Sequence, residues 1–163
     1  MHKNFNTPKT EETTNVWLTP PDLLQKLGHF DLDPCAASNR PWDCADVNYT
    51  IEDNGLTKEW FGRVWCNPPY GSEASDFLKK FSEYGGKGLC LIFARTDTKA
   101  WHNYIFSNAK YIFFIKGRVK FCRENGEQAT SANAASCLVA WDESEYELLS
   151  GLEKTGFGKL AKL

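Results

Sequence analysis

At 163 residues, with 42% hydrophobic and 25% charged side chains, the chain has the size and apolar content of one compact domain, which excludes an intrinsically disordered segment. Its net charge of -2 excludes passive coating of nucleic acid, where affinity comes largely from phosphate contacts, but leaves room for an enzyme with a local basic patch. No apolar run approaches the ~20 residues that cross a bilayer, and none follows Met1-His2-Lys3-Asn4 as in a secretory leader, so a cytoplasmic protein with no membrane partner is expected.

Residues 1–14 are polar and read as a flexible N-terminal arm, leaving 15–163 as a single domain. Trp17-Leu18-Thr19-Pro20-Pro21-Asp22 sets up a helix start, with Thr19 as the cap and the prolines in the first turn. The spacing then predicts a helix over 22–27, ended by Gly28. Residues 30–33 read as a short strand that stops at Pro34. The stretch 35–58 is rich in Asn, Asp, Pro and small residues; loops of that length are functional or carry short elements of their own.

A second short strand, 63–66, runs directly into Asn67-Pro68-Pro69-Tyr70-Gly71. Phe77, Leu78 and Phe81 share one face of a helix over 75–81, stopped by Gly85-Gly86. Residues 88–94 form a nearly continuous apolar run, the mark of a buried central strand. A helix over 101–106 and a strand over 111–115 follow. Strands 118–122 and 136–141, joined by a polar loop, are expected to make an antiparallel pair near the C-terminus, before a surface helix over 143–149.

This alternation predicts an α/β fold built on an open sheet, in which ligands bind beyond the carboxyl ends of the strands. Two unusual sequences fall at strand ends, Asp33-Pro34-Cys35-Ala36-Ala37 and Asn67-Pro68-Pro69-Tyr70, and their coincidence locates a site. The six cysteines contain no Cys-x-x-Cys pair and the three histidines are scattered, so neither structural zinc nor a disulfide framework is expected, and no metal is assigned. Cys66, Cys90 and Cys137 lie in apolar runs, as small hydrophobes do.

Two prolines after a strand are in themselves an ordinary stop signal. Here they arrive where a buried strand delivers them to the sheet edge, with an aromatic residue and then a glycine before the next helix. An aromatic exocyclic amine is a poor nucleophile because its lone pair is delocalised into the ring. Two acceptors placed off the ring plane draw its hydrogens and favour a pyramidal nitrogen. The Asn67 side-chain oxygen and the Pro68 carbonyl, held by the restricted Pro68-Pro69 backbone, suit that role. Tyr70 adds a face on which a flat substrate stacks. Attack on a sulfonium methyl makes the amine acidic, so positioning and polarisation suffice without a strong base.

On these residues the chain resembles the phage-type DNA N-6-adenine methyltransferases, a Dam-like family. The resemblance runs from about Trp17 to Trp141. It rests on Trp17-Leu18-Thr19-Pro20, Phe30-Asp31-Leu32-Asp33-Pro34-Cys35-Ala36-Ala37, Tyr49-Thr50 with Asn54-Gly55-Leu56, and Val64-Trp65-Cys66-Asn67-Pro68-Pro69-Tyr70-Gly71. Further on come Ala94-Arg95-Thr96-Asp97-Thr98, Gly117-Arg118-Val119-Lys120-Phe121 and Ser136-Cys137-Leu138-Val139. It implies a compact Rossmann-like sheet and S-adenosylmethionine as cofactor. Catalysis falls to Asn67, Pro68, Pro69 and Tyr70, with a flipped-out DNA adenine as substrate, in the host cytoplasm if the chain is phage-encoded. Trp17, Thr19, Pro20, Asp33, Pro34, Cys35, Ala36, Ala37 and Asn67 are then the cofactor-binding residues. Where larger methyltransferases carry a Gly-rich loop, Ala36-Ala37-Ser38 stands instead.

For DNA contact the candidates are Arg95, Thr96, Lys99 and His102 after the buried strand, although Thr96 and Thr98 equally suit helix capping. Lys116, Arg118 and Lys120 share one face if that segment is a strand, as a DNA-facing stripe or a plain solvated face. Other flat amino groups fit the Asn67 chemistry too: cytosine N4, an RNA base or a glutamine amide. Cytosine-N4 enzymes more often carry Ser in place of Asn67, and glutamine enzymes bring a Gly-rich loop and a helical domain. A module that binds DNA or cofactor without catalysis is the remaining alternative.

Overall fold

The computed structural model describes residues 16–163, so the expected arm over 1–14 lies outside the described residues. The chain is α/β: a seven-stranded sheet in the order β2-β1-β3-β4-β6-β5-β7. The strands are β1 (Leu32–Asp33), β2 (Val47–Asn48), β3 (Val64–Cys66), β4 (Gly88–Phe93), β5 (Tyr111–Ile115), β6 (Ser136–Ala140) and β7 (Gly158–Lys162). Pairing is parallel from β2 through β4 and antiparallel from β4 to β7. The helices are α1 (Pro21–Leu27), α2 (Glu73–Tyr84) and α3 (Tyr146–Lys154), with a π-helical turn at Trp101–Ile105.

Alternation along the central strands makes two cores, one on each face of the sheet. Leu89 and Leu91 of β4, Tyr111 and Phe113 of β5, and Leu138 and Ala140 of β6 meet Leu23 and Leu27 of α1 and Leu149 and Leu152 of α3. The alternate residues Cys90, Ile112, Cys137 and Val139 meet Phe77, Leu78 and Phe81 of α2 and Trp101 and Ile105 of the π-helical turn. Helix α2 stops at Gly85 in the left-handed conformation (φ 59°), whose N–H reaches the Phe81 carbonyl. The helix expected over 101–106 is wound more loosely, the Phe106 N–H bonding the Trp101 carbonyl five residues back.

Several expectations need correction. Thr19 does not cap α1; the cap position is Pro20, and Thr19 is buried, pointing its hydroxyl at Trp65 and Asn67. Residues 118–122 are not a strand. Val119 and Phe121 do turn inward while Arg118 and Lys120 stay exposed, but the backbone bonds are split between Leu18 on one side and residues 128–132 on the other, so no ladder forms. The antiparallel partners of β6 are therefore β4 and β5. The 35–58 stretch contains β2, and β7 extends the sheet beyond β5. No helix among the described residues is long and apolar enough to cross a membrane.

Candidate functional site

From β1 the chain moves outward to β2 and returns to β3 on the other side of β1, so strand order reverses between β1 and β3. A crevice opens at the carboxyl ends of strands at such a reversal. β1, β3, β4 and β5 all point the same way, since β6 is antiparallel to both β4 and β5. Asp33, Asn67, Arg95 and Lys116 therefore leave the sheet at one edge, although they are spread over eighty residues of sequence.

Two cavities open there, of about 470 and about 210 Å³, and Asn67, Pro68 and Tyr70 line both. The larger also takes in Trp17, Thr19, Asp33, Pro34, Cys35, Ala36, Ala37 and Pro69. Of the residues expected at the cofactor, Pro20 stands outside this lining. The smaller is walled by Leu78 of α2, Phe93, Arg95, Thr98, Trp101 and Phe121.

Asn67 is held by its amide nitrogen. Nδ2 donates to the Trp17 carbonyl and to Thr19 Oγ1, both at 3.2 Å. Both amide protons are used, and Oδ1 has no hydrogen-bond partner among the described residues. Tyr70 stacks on Phe93 with centroids 4.8 Å apart and planes 20° apart, and Phe121 meets both rings edge-on. One face of Tyr70 is thus already covered, and burial pushes its hydroxyl up to about 12.

Asp33 is buried, and its carboxylate accepts from the Cys35 N–H at 3.0 Å. Burial pushes its pKa up to about 7, against the pull of that N–H and of Arg40. Arg40 sits on the same wall with Nη1 on the Ala37 carbonyl at 2.7 Å and Nε on Asp43. All six cysteines are free. Cys35 Sγ lies 3.7 Å from Cys66 Sγ, and that contact and burial push the Cys35 thiol well up.

Further residues complete the lining of the larger cavity. Trp42 closes the larger cavity, its Nε1 on the Thr19 carbonyl at 3.1 Å. Asn54, Gly55 and Leu56 form another wall; Gly55 packs so closely on Pro34 that a Cβ there would lie 1.8 Å from the Pro34 carbonyl oxygen. Lys80 of α2 ties this wall down, donating to the carbonyls of Gly55, Leu56 and Lys58. Asn54-Gly55-Leu56 was visible as a matching segment, while Phe93 and Phe121 looked like ordinary core residues.

Among the DNA-contact candidates, Arg95 lines the smaller cavity with its guanidinium over Phe93, 5.6 Å from the centroid. Thr96, Lys99, His102, Lys116, Arg118 and Lys120 are exposed and line neither cavity. Thr98, not Thr96, serves the following helical turn, its Oγ1 accepting from the Trp101 N–H at 3.4 Å.

A model of the DNA N-6-adenine-methyltransferase (Dam) family matches residues 5–157. The chain belongs to this family. No curated protein and no solved structure matches the chain. Within this Dam-family chain, the matched span takes in both cavities and every strand except β7.

Proposed function

We propose that this chain is a Rossmann-like, S-adenosylmethionine-dependent methyltransferase that methylates the exocyclic N6 of an adenine flipped out of DNA. The observation that carries the reading is the Asn67 amide. It lies where the two cavities meet, with its nitrogen engaged by Trp17 and Thr19 and its oxygen left to accept.

The larger cavity suits the cofactor in size and in donor set. Its volume of about 470 Å³ falls within the ~300–1,000 Å³ of small-molecule sites. A buried Asp33 carboxyl in no ion-pair contact among the described residues suits a positively charged ligand, and Arg40 on the same wall suits a carboxylate. Asp33, Cys35, Ala36 and Ala37 would hold the cofactor, which when bound supplies an electrophilic methyl group on a cationic sulfur.

The chain's own residues prepare the amine. Asn67 Oδ1 and the Pro68 carbonyl accept its two hydrogens and favour a localised lone pair. Tyr70, backed by Phe93, offers its other face to the base, and Phe121 closes the edge. Base–aromatic stacking contributes roughly 1–3 kcal/mol, which helps offset the cost of unstacking the adenine from the duplex. Arg95, Lys116, Arg118 and Lys120 emerge at the same sheet edge and meet DNA phosphates, with Thr96, Lys99 and His102 further along that surface.

Replacing Asn67 with Ala separates chemistry from binding. Asn67→Ala is expected to lower kcat by about a hundredfold or more and to leave S-adenosylhomocysteine affinity, measured by calorimetry, within about threefold. Methyl transfer at the original rate would contradict the reading.

A further inference from the structure

Thr19 is buried at the end of the segment that enters α1, and three indole or amide groups converge on it. Trp65 Nε1 and Asn67 Nδ2 both donate to Thr19 Oγ1 at 3.2 Å, while Trp42 Nε1 donates to its backbone carbonyl. The two lone pairs of the hydroxyl are thereby used, leaving only its proton. Little of this side chain remains for a ligand, although it borders the larger cavity.

A primary amide can bind in either of two senses, related by exchanging its oxygen and nitrogen. At Asn67 the Trp17 carbonyl, which can only accept, selects the sense with nitrogen inward. The reverse sense would set two acceptors against each other. Thr19 Oγ1 supplies the second anchor, which fixes the amide plane. The backbone of this segment is pinned by Leu18, whose N–H and carbonyl pair with Cys122 at 2.8 and 3.0 Å. The anchor therefore has a fixed base.

We propose that Thr19 is a positioning residue for Asn67, holding the amide so that Oδ1 is presented to the target amine, rather than a contact to the cofactor. The proposal rests on the reading of Asn67 as an acceptor for that amine.

The test uses the full chain with DNA and labelled S-adenosylmethionine, comparing Thr19→Val, Thr19→Ser and Trp65→Phe. Thr19→Val keeps the shape and removes the acceptor. It is expected to lower kcat about tenfold to a hundredfold while leaving KM for the cofactor and S-adenosylhomocysteine affinity within about threefold. Thr19→Ser restores the hydroxyl and is expected to restore kcat. Trp65→Phe removes the neighbouring indole donor without touching the Asn67 anchor and is expected to keep kcat, which controls for a general loosening of the core. An unchanged kcat in Thr19→Val would overturn the proposal. So would a loss confined to cofactor affinity, or an equal loss of kcat in Trp65→Phe. Absence of transfer by the unaltered chain would overturn the reading of Asn67 and this proposal with it.

Discussion

The two ends of the sheet bury polar groups in opposite ways. At the amino end, Arg63 pairs with buried Glu145 through two 2.8 Å bonds, and the same carboxylate accepts from the Gly88 N–H at 3.0 Å. The Arg63 Nη1 donates to the Leu27 and His29 carbonyls, and its guanidinium covers the Phe30 ring at 4.2 Å. Charge there is matched inside the protein. At the carboxyl end the matching is incomplete: Asp33 is buried in no ion-pair contact among the described residues, and the half-buried Asn67 keeps Oδ1 without a partner among them. The two buried side-chain atoms found without partners among the described residues, Asn48 Oδ1 and Ser136 Oγ, also sit at this end, one closing β2 and the other opening β6. Unmatched buried polarity is costly. Of these groups Asp33 and Asn67 line the cavities, where a ligand would complete them, while Asn48 and Ser136 line neither; the matched end holds the strands in place.

The largest effect that would break this contrast is at the amino end. Glu145→Ala leaves Arg63 without its carboxylate and is expected to destabilise the fold by about 3 kcal/mol, the low end of the ~3–5 kcal/mol for breaking a buried pair. Arg63 keeps partial solvent contact and its two carbonyls, hence the low end. Urea denaturation measures the loss, and methyl transfer per folded molecule should be unchanged. A cost near zero, or a selective loss of activity, would mean that the amino end is not merely a brace.

At the carboxyl end the corresponding experiment is a pH series on Asp33. Its pKa rises from 3.8 unfolded to about 7 folded because burial disfavours the charge. The folded state therefore holds the proton longer than the unfolded state. The group's contribution to stability is full below pH about 4, falls as pH climbs from about 4 to about 7, and is constant above that. Asp33→Asn should remove this downward slope in denaturation series. Binding of a cationic ligand needs the ionised form, so affinity for S-adenosylmethionine should rise up to about tenfold per unit as pH approaches 7 and then level off. A flat profile in the unaltered chain would contradict the idea that Asp33 awaits a cation.

A smaller effect probes the rim of the same end. Arg118→Gln and Lys120→Gln together should weaken DNA binding uniformly across sequences and shallow the plot of log affinity against log salt by about 1–2. No change in slope would remove these two exposed residues from the DNA surface.

How far this contrast could be read in the sequence depends on the range of the forces involved. The nearly continuous apolar run 88–94 and the strand-sized apolar run 111–115 declared the central strands, because burial on both faces imposes hydrophobicity directly on the chain. Asn67-Pro68-Pro69-Tyr70 was legible because it lies between a buried strand and a well-patterned helix. The Arg63–Glu145 pair was not, since it joins residues 82 apart with nothing local to mark it. Residues 118–122 show the other kind of failure. Their in–out alternation is real, but alternation reports side-chain burial and not backbone partners, which here are split between Leu18 and the following loop. Thr19 before two prolines has the local pattern of a helix cap. Only the placement of Trp65 and Asn67 beside it turns the hydroxyl inward.

The most direct measurement is the identity of the methylated product. DNA incubated with the full chain and methyl-labelled S-adenosylmethionine is digested to nucleosides and separated by mass. Label is expected in N6-methyldeoxyadenosine. Label in N4-methyldeoxycytidine, or none in any nucleoside, would contradict the proposed function.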